Sequence, residues 1–496
     1  MIKKLFTIIV SALLTLAVPF ACSPAPSEEN QTPQENEEQK PDPENPEPEN
    51  PEPENPDPEN PEPENPQEPE IDPSTLKALV ATAPVPENNF IFEDKPQFVL
   101  QINNRNEVPI TDELTVKVLT DKKEPVAVLE LGEFTVPANT TIEKEITLDY
   151  DFLPGFYKAN CVIQKRIARA VDFGIRPTEI ASLPDMQDDF TAFWEDALSQ
   201  LEMHVQMNPK LTPIPGKNNV YLLEMNSIPD HVDGDDVLIH AYLAVPKDAS
   251  ATRKYPVLIH FEGYDTQKPT GKMYCPSGAS DFIELYMSNR GQMINNRTAD
   301  QRSDGIDEDY HNIYGDWFAY EFGQKGSYYY RGAYMDCVQA VRFIATLEEA
   351  DISNIFAEGK SQGGAFSYAC AALSPIPLAG IAPGVAFMGD FPDYFQIVDW
   401  PASTAKANKG SMTDDEMYAF LSYFDTKNLA TRISCPIIAN MGLKDITCPP
   451  HTNIAPFNNA LTPAADKVMY YYAEMGHDIP NGWDIKVKKF FKEHMK

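Results

Sequence analysis

The sequence predicts two folded parts: an antiparallel β-sandwich over residues 76–176 and an α/β domain with a mostly parallel sheet over residues 177–496. In the first part, short runs with alternating apolar residues are typical of strands. In the second part, strand-like and helix-like segments alternate. A glycine-rich turn around Ser361 lies between one such strand and the following helix. At 496 residues the chain also exceeds the roughly 250–300 residues at which a single core stops growing.

The amino-terminal region is acidic and rich in proline. The formal net charge of the chain is −35, and residues 23–74 hold 18 Asp or Glu against one Lys, a net −17. Residues 41–65 repeat a unit of Pro-Asp/Glu-Pro-Glu-Asn that has no apolar side chain to bury. We therefore interpret residues 22–75 as a disordered linker. The remaining negative charge argues against a nucleic-acid partner, because phosphate binding depends on clustered Lys and Arg.

The first 21 residues have the features of an export signal. Lys3 and Lys4 precede the apolar stretch 5–18, which is shorter than the roughly 20 residues that a membrane-spanning helix needs. The segment resembles bacterial lipoprotein signals, and this resemblance implies lipidation of Cys22 after cleavage of residues 1–21; ordinary signal cleavage is the alternative. We expect an exported lipoprotein in the periplasm or at the outer-membrane surface.

The predicted sandwich rests on four alternating runs of strand length. They are residues 98–102, 114–119, 142–148 and 157–163. Such runs, separated by turns over about 100 residues, are typical of an immunoglobulin-like sandwich. We interpret this region as a structural accessory domain, with carbohydrate binding as the alternative, because a fold alone does not define a function.

The α/β part shows strand and helix patterns in turn. The predicted strands are residues 237–245, 255–261, 354–357, 436–440 and 467–472, and the predicted helices include 190–198, 334–347 and 363–373. Strands that alternate with helices form a mostly parallel sheet with helices on both faces. Loops at the carboxyl ends of such strands meet at one edge of the sheet, and functional residues are expected there.

The motif Gly359-Lys360-Ser361-Gln362-Gly363 matches G-x-S-x-G, with a predicted strand before it and a helix after it. A sharp strand-to-helix turn leaves no room for β-carbons beside the serine, which explains the two glycines. A bare match also occurs in ordinary glycine-rich turns. The strand and helix around it favour a serine nucleophile.

A serine nucleophile needs an imidazole to take its proton and a carboxylate to orient that imidazole. The histidines after Ser361 are His451, His477 and His494. His477 follows a predicted strand, which makes it the expected base. His451 follows two prolines, and we expect it to cap a helix or lie at the surface; His494, in a basic tail helix, is expected to be exposed.

Asp445 is the expected acid, because it follows the predicted strand 436–440. The order Ser361, Asp445, His477 is the one expected of α/β-hydrolases. A turn or helix-capping role is the structural alternative for Asp445. Asp390 is the rival acid.

Two backbone N–H groups should hold the oxyanion. In the hydrolase pattern one comes from the residue after the nucleophile, here Gln362. The other should come from the loop after an early strand, and the N–H of Tyr264 is our candidate.

Several motifs together resemble the acetyl xylan esterase and cephalosporin C deacetylase family over about residues 184–496. The motifs are Gly-x-Ser-Gln-Gly-Gly at 359–364, Gly263-Tyr264, Arg290-Gly291-Gln292, Tyr328-Tyr329-Tyr330-Arg331, Gly442-Leu443-Lys444-Asp445, Cys448-Pro449-Pro450 and Gly476-His477. The resemblance implies an α/β-hydrolase fold and removal of acetyl esters from xylo-oligosaccharides and related carbohydrates.

The resemblance also implies roles for individual residues. Ser361 forms the acyl-enzyme, Asp445 and His477 serve as charge partner and base, and Tyr264 and Gln362 supply the oxyanion donors. No metal or cofactor is implied. Arg290-Gly291-Gln292 is implied to support the framework of the site without taking part in the chemistry. The oligomeric state is not implied.

One departure from the family pattern concerns substrate preference. The family usually has His immediately before the Gly-Tyr pair, whereas this chain has Glu262 there. Alternatives remain open at this point. The chain could be another α/β-hydrolase, peptidase-like or a glucuronoyl or feruloyl esterase, or a non-catalytic glycan-binding lipoprotein. The last would lack a triad member, and none is missing.

Overall fold

The computed structural model describes residues 75–231, 234–264, 275–292 and 314–496. The predicted signal, Cys22 and the linker up to residue 74 lie outside these ranges, so what the sequence predicts for them stays a prediction. Within the described ranges, no helix is both long and apolar enough to span a bilayer.

The amino-terminal part forms two β-sheets with a common apolar core. Its strands are β1 (Val80–Thr82), β2 (Ile91–Phe92), β3 (Gln97–Asn103), β4 (Ile110–Thr120), β5 (Pro125–Val136), β6 (Thr141–Thr147), β7 (Gly155–Ile163) and β8 (Arg166–Ile175). One sheet has the order β1-β3-β6 and the other β2-β8-β7-β4-β5. Burial alternates along β3, where Leu100 and Ile102 are fully buried between half-buried neighbours, as the period-two pattern predicted. All pairings are antiparallel except β2 with β8.

The second part is built on a nine-stranded sheet with the order β17-β16-β15-β14-β12-β13-β11-β10-β9. The strands are β9 (Lys210–Pro213), β10 (Val220–Ser227), β11 (Val237–Ala244), β12 (Tyr255–Phe261), β13 (Ile283–Ser288), β14 (Ala350–Lys360), β15 (Gly380–Gly384), β16 (Ile437–Gly442) and β17 (Lys467–Tyr472). Neighbours from β13 to β17 pair in parallel, whereas β9, β10 and β11 pair antiparallel at the other end. The predicted mostly parallel sheet is therefore confirmed.

Helices cover both faces of this sheet. They are α1 (Phe190–Met203), α2 (Tyr329–Ile344), α3 (Gln362–Leu373), α4 (Phe391–Ile397), α5 (Ala402–Asn408), α6 (Asp414–Leu421), α7 (Thr426–Ala430), α8 (Pro450–Asn459) and α9 (Trp483–Glu493). On one face, the Phe491 ring of α9 stacks 4.5 Å from the Phe356 ring of β14. On the other face, α2 and α3 bury nearly all of their residues in the main core. This packing fixes the strand ends that carry the predicted site.

The sandwich and the α/β part belong to one compact unit and meet at a buried ion cluster around His451. His451 is 8% exposed, and its Nε2 lies 2.9 Å from Asp393 and 3.1 Å from Asp390. Its Nδ1 lies 3.7 Å from Asp121 of the sandwich, and the neighbouring Lys122 donates a hydrogen bond of 2.5 Å to Asp393. The expectation that His451 caps a helix or lies at the surface is therefore wrong, because residues distant in sequence bury it.

The ion cluster around His451 forms a joint between the sandwich and the α/β part. The stability that this joint gives to the folded protein is expected to depend on pH. Burial acts to lower the pKa of His451, but hydrogen bonds and charges of Asp390 and Asp393 outweigh burial and raise this pKa from 6.5 to about 9. The stabilisation is therefore complete below about pH 6.5 and is lost as the pH rises through about 9. Between wild type and His451→Gln, the difference in free energy of unfolding is expected to shrink by about 2–3 kcal/mol from about pH 6 to about pH 9.5.

Urea unfolding of both proteins at the two pH values measures this difference. A difference that is the same at both pH values would show that the protonated imidazole does not stabilise the joint.

Candidate active site

Ser361 occupies a sharp turn between the end of β14 and the start of α3. Its backbone has φ 59° and ψ −117°, a conformation that costs a non-glycine residue about 1–3 kcal/mol. Two hydrogen bonds hold it there: its N–H donates to the carbonyl of Gly384 (2.9 Å), and its carbonyl accepts from the N–H of Phe387 (3.0 Å). The structure therefore has the strand-to-helix turn that the sequence predicts.

The glycines around Ser361 are required by close backbone contacts. A β-carbon at Gly363 would lie 2.1 Å from the carbonyl oxygen of Phe261, and one at Gly359 would lie 2.4 Å from the backbone of Gly363. Neither contact can be relieved by a side-chain movement, because the opposing atoms are backbone. The backbone of the turn therefore packs directly against the backbone at the end of β12.

This contact predicts a large effect of Gly363→Ala. We expect the substitution to lower the free energy of unfolding by about 3 kcal/mol, since the added methyl group must displace backbone, and to reduce any activity that depends on the position of Ser361. Thermal unfolding and the rate of the hydrolysis that the sequence predicts measure the two effects. Gly326→Ala is the matched control, because a β-carbon there meets no atom within 4 Å. If both variants behave like wild type, the turn tolerates a β-carbon and the close-contact account is wrong.

His477 and Asp445 follow the adjacent parallel strands β17 and β16 and are hydrogen-bonded to each other. The Nδ1 of His477 lies 2.8 Å from Oδ2 of Asp445. The other carboxylate oxygen accepts the N–H groups of Thr447 (2.8 Å) and Cys448 (2.9 Å). The Asp445 side chain is fully buried, while His477 is partly exposed. The carboxylate is therefore fixed, with one oxygen directed at the imidazole.

The other acidic residues near the site have different partners. Asp390 accepts from Lys427 (3.0 Å) and contacts His451. Asp478, beside the histidine in sequence, pairs with Lys360 (3.0 Å). Asp445 is thus the carboxylate bonded to His477 in the part of the chain that the structure describes, and Asp390 serves the joint with the sandwich.

The loop proposed to hold the oxyanion lies directly against the serine. A β-carbon at Gly263, next to Tyr264, would lie 3.8 Å from Cβ of Ser361. The Gln292 side chain donates to the carbonyls of Glu262 (3.2 Å) and Gly263 (3.3 Å), which fixes this loop. The N–H of Tyr264 remains the predicted donor from this loop.

Gln362, the second predicted donor, is the first residue of α3. Backbone N–H groups in the first turn of a helix have no carbonyl partner within that helix, which suits them to bind an anion. The buried Gln362 side chain accepts a hydrogen bond from the hydroxyl of Tyr330 (2.8 Å) and so points away from solvent. Its backbone is therefore the part available to a substrate.

Arg290 lies in the motif that the family resemblance implied to support the active-site framework. Its buried guanidinium pairs with Asp336 (2.8 Å) and Asp230 (2.7 Å), and its carbonyl accepts from the hydroxyl of Tyr329 (2.8 Å). A β-carbon at Gly332 would lie 2.0 Å from the guanidinium, so α2 needs a glycine there. These bonds hold the segment that leads to Gln292.

An aromatic wall of four residues, Tyr264, Trp317, Phe387 and Trp400, stands beside the serine. The Tyr264 ring lies 5.2 Å from Trp317, 5.3 Å from Trp400 and 6.1 Å from Phe387. Phe387 is bonded to the carbonyl of Ser361. The Tyr264 hydroxyl donates to Asp316, which fixes the ring. The wall therefore adjoins the Ser361 turn through the backbone of Phe387.

Cys448 and Tyr330 are site residues for which sequence reasoning gave no individual role. Burial and the Asp445 charge raise the pKa of the Cys448 thiol well above its ordinary value, against the effect of hydrogen bonds with Tyr394 and Ser361. The thiol therefore stays protonated beside the nucleophile. Both residues belong to motifs of the family resemblance, which was the available signal.

The cysteines from Cys161 onward are all free thiols.

One group in the described part has the spacing of a metal site: Asp390, Asp393 and His451. Lysines already balance its carboxylates, since Lys427 donates to Asp390 and Lys122 to Asp393. We interpret this group as the joint between the two parts of the fold.

A serine in a strand-to-helix turn, with an acid and a histidine after later strands of the same sheet, defines a serine hydrolase with the α/β-hydrolase fold. The sequence profile of the acetyl xylan esterase (AXE1) family matches residues 179–494. The chain belongs to this family and is a carboxylic ester hydrolase. The predicted family and fold class are confirmed.

Individual relatives agree with this assignment. The chain is 28% identical to the acetyl esterase Axe7A of Xylanibacter ruminicola over 321 residues, which cover 62% of this chain and 68% of that protein. It is 26% identical to an acetyl xylan esterase from Paenibacillus sp. R4, with a TM-score of 0.51 over 64% of this chain and 98% of that one. Acetyl Xylan Esterase 1 from Thermoanaerobacterium sp. JW/SL YS485 shares the fold, with 22% identity and a TM-score of 0.51 over 65% of this chain and 98% of that one.

Proposed function

We propose that this esterase removes acetyl groups from xylo-oligosaccharides and related acetylated carbohydrates through an acyl-enzyme on Ser361. The observation that carries the proposal is the buried Asp445 carboxylate bonded to Nδ1 of His477, at the same sheet edge as the Ser361 turn. Membership in the acetyl xylan esterase family supports the acetyl ester as the bond that is cleaved.

The chemistry follows from the order of these groups. The Nε2 of His477 accepts the hydroxyl proton of Ser361 while the oxygen attacks the acetyl carbonyl carbon. The N–H groups of Gln362 and Tyr264 stabilise the oxyanion that forms. Collapse of the intermediate releases the sugar hydroxyl, which takes the proton from His477, and leaves the acetyl group on Ser361. Water, deprotonated by His477, then attacks the acyl carbon; the bond to Ser361 breaks, acetate leaves, and the proton on His477 returns to the Ser361 oxygen.

Asp445 acts by electrostatics and orientation. Its bond to Nδ1 keeps the other imidazole nitrogen available as the proton acceptor and stabilises the imidazolium that forms. Two backbone N–H bonds hold the carboxylate in place. These steps use only side chains and backbone of this chain, and no metal or cofactor is proposed.

The aromatic wall supports a small acyl group. Tyr264, Trp317, Phe387 and Trp400 pack ring against ring, and the N–H of Phe387 is bonded to the carbonyl of Ser361, so these rings are proposed to line the acyl site and to favour a small acyl group. Acetyl esters fit such a site better than feruloyl esters. Glu262, whose carboxylate lies 3.4 Å from the N–H of Gly263, is proposed to affect which sugar is preferred.

The substrate is tested by measuring kcat/KM on six kinds of ester and amide. Acetylated xylo-oligosaccharides and p-nitrophenyl acetate are expected to be hydrolysed, with p-nitrophenyl butyrate slower and feruloyl or glucuronoyl esters and dipeptidyl amides at background. Ser361→Ala supplies the background rate. Faster hydrolysis of the feruloyl, glucuronoyl or dipeptidyl substrate would replace the proposed function by that alternative. Equal acetate release by wild type and Ser361→Ala would leave the non-catalytic glycan-binding alternative.

We also propose that the protein is exported and anchored by a lipid on Cys22, in the periplasm or at the outer-membrane surface. The basic start, the short apolar stretch and the following small residues support this proposal. Metabolic labelling with palmitate is expected to mark wild type and not Cys22→Ala, and protease treatment of intact cells separates the two locations. Release of both proteins into the soluble fraction would contradict the anchor.

A further inference from the structure

A cleft of about 870 Å³ separates the β-sandwich from the α/β domain. One wall is formed by the sandwich, including Lys123, Lys158 and Ile167. The opposite wall is formed by the end of α4 with Asp399 and by the loop that carries Asp445. A cleft of this size accommodates a ligand of several rings.

The cleft is specific to a chain with both parts. The match to the acetyl xylan esterase family begins at residue 179, whereas the last sandwich strand ends at Ile175. The sandwich wall therefore lies outside the region shared with the family. The ion cluster around His451 and the pair of Arg169 with Glu474 (2.7 Å) join this wall to the catalytic domain, so the cleft is preformed.

Two lining segments of the cleft continue along the chain into residues of the active site. Asp445 lines the cleft, and its neighbour Ile446 is 82% exposed at the rim. Asp399 also lines the cleft, and the next residue, Trp400, packs 5.3 Å from Tyr264 in the aromatic wall. Because Asp445 both lines the cleft and bonds His477, the cleft and the catalytic site share part of their walls.

The lining has the chemistry that recognises a neutral sugar chain. Aliphatic side chains such as Ile167, 56% exposed, offer surface for the apolar faces of sugar rings. Besides the buried Asp445, four Lys or Arg residues and three Asp residues line the same cleft, and Lys158 pairs with Asp172 (2.7 Å). With charges of both signs present, the cleft offers hydrogen-bond donors and acceptors for hydroxyl groups and does not select a polyanion.

We propose that this cleft binds the sugar chain of the acetylated substrate, and that the sandwich is a substrate-binding domain of the esterase. The inference rests on the proposed function. It extends the site from the acetyl group to sugar units several positions away from the ester.

The test compares two tryptophan substitutions on the outer surface of the same sheet. Ile167→Trp places a bulky ring in the cleft, whereas Val128→Trp places one at a 60% exposed position of β5 that does not line the cleft. For wild type and both variants, kcat/KM is measured on p-nitrophenyl acetate, on acetylated xylobiose and on acetylated xylohexaose.

Wild type is expected to favour the hexasaccharide over the disaccharide. The compared ratio is kcat/KM for acetylated xylohexaose divided by kcat/KM for p-nitrophenyl acetate. Ile167→Trp should lower this ratio by roughly tenfold, mainly by raising KM for the hexasaccharide, and Val128→Trp should leave it unchanged. A folding defect would lower kcat/KM for all three substrates by the same factor and leave the ratio unchanged. The same ratio for both variants, or no preference of wild type for the longer chain, would overturn the cleft assignment.

Failure of the proposed function gives a different result. Wild type would then hydrolyse p-nitrophenyl acetate but release no acetate from either oligosaccharide, and the cleft assignment would fall with its substrate.

Discussion

Ser361→Ala is expected to lower kcat for p-nitrophenyl acetate by roughly 10⁵- to 10⁶-fold, the range seen when the nucleophile of a serine hydrolase is removed. The variant has no hydroxyl to form the acyl-enzyme, and only substrate binding and the oxyanion donors continue to accelerate attack by water. KM should change little, because the acyl site itself is preserved. Initial rates of wild type and variant at equal concentrations of folded protein measure the loss.

Ser367→Ala is the matched control for Ser361→Ala. It makes the same chemical change in the helix α3 that follows Ser361, at a buried hydroxyl that donates to the carbonyl of Gly363 (3.0 Å). This control should stay within a few-fold of wild type. Comparable rates for Ser361→Ala and Ser367→Ala would mean that another group is the nucleophile.

Asp445→Asn should have the second-largest effect, a loss of roughly 10⁴-fold in kcat. The amide is nearly isosteric, so the loop whose Thr447 and Cys448 N–H groups donate to the Asp445 side chain is expected to keep its shape. An asparagine cannot stabilise the imidazolium, and its NH₂ group favours the wrong tautomer of His477. The kcat for an acetyl ester at about pH 8 measures the loss.

Two further Asp→Asn variants separate the competing acids. Asp478 is adjacent to His477 but pairs with Lys360, and Asp390 pairs with Lys427 and His451. Both Asp478→Asn and Asp390→Asn should keep kcat within about tenfold of wild type when measured on folded protein. A greater loss for Asp390→Asn than for Asp445→Asn would make Asp390 the catalytic acid.

The local sequence patterns predicted much of the fold because short runs of β-branched and aromatic residues bounded by turn residues are typical of strands. The segment 467–472 coincides with β17, and 255–261 with β12. By contrast, β15 has the sequence Gly-Ile-Ala-Pro-Gly, which local propensity does not favour as a strand. It lies fully buried between two parallel neighbours, so tertiary packing decides its conformation.

The geometry of the site was predictable where chemistry dictates order along the chain. Ser361, Asp445 and His477 could be proposed because a nucleophile, an acid and a base must follow strands of one parallel sheet. The position of His451 was not predictable, because its partners come from α4 and from the sandwich, far away in sequence. Asp390, the rival acid, belongs to the same ion cluster, where it pairs with His451 and Lys427.

The acyl-enzyme on Ser361 is the central claim, and covalent labelling tests it most directly. The full-length protein is incubated with diisopropyl fluorophosphate, digested, and analysed by peptide mass spectrometry. One phosphoryl adduct per chain is predicted on the peptide that contains Ser361, with parallel loss of esterase activity, and none on Ser361→Ala. Inactivation with the adduct on another residue, or full activity with Ser361 modified, would contradict the claim.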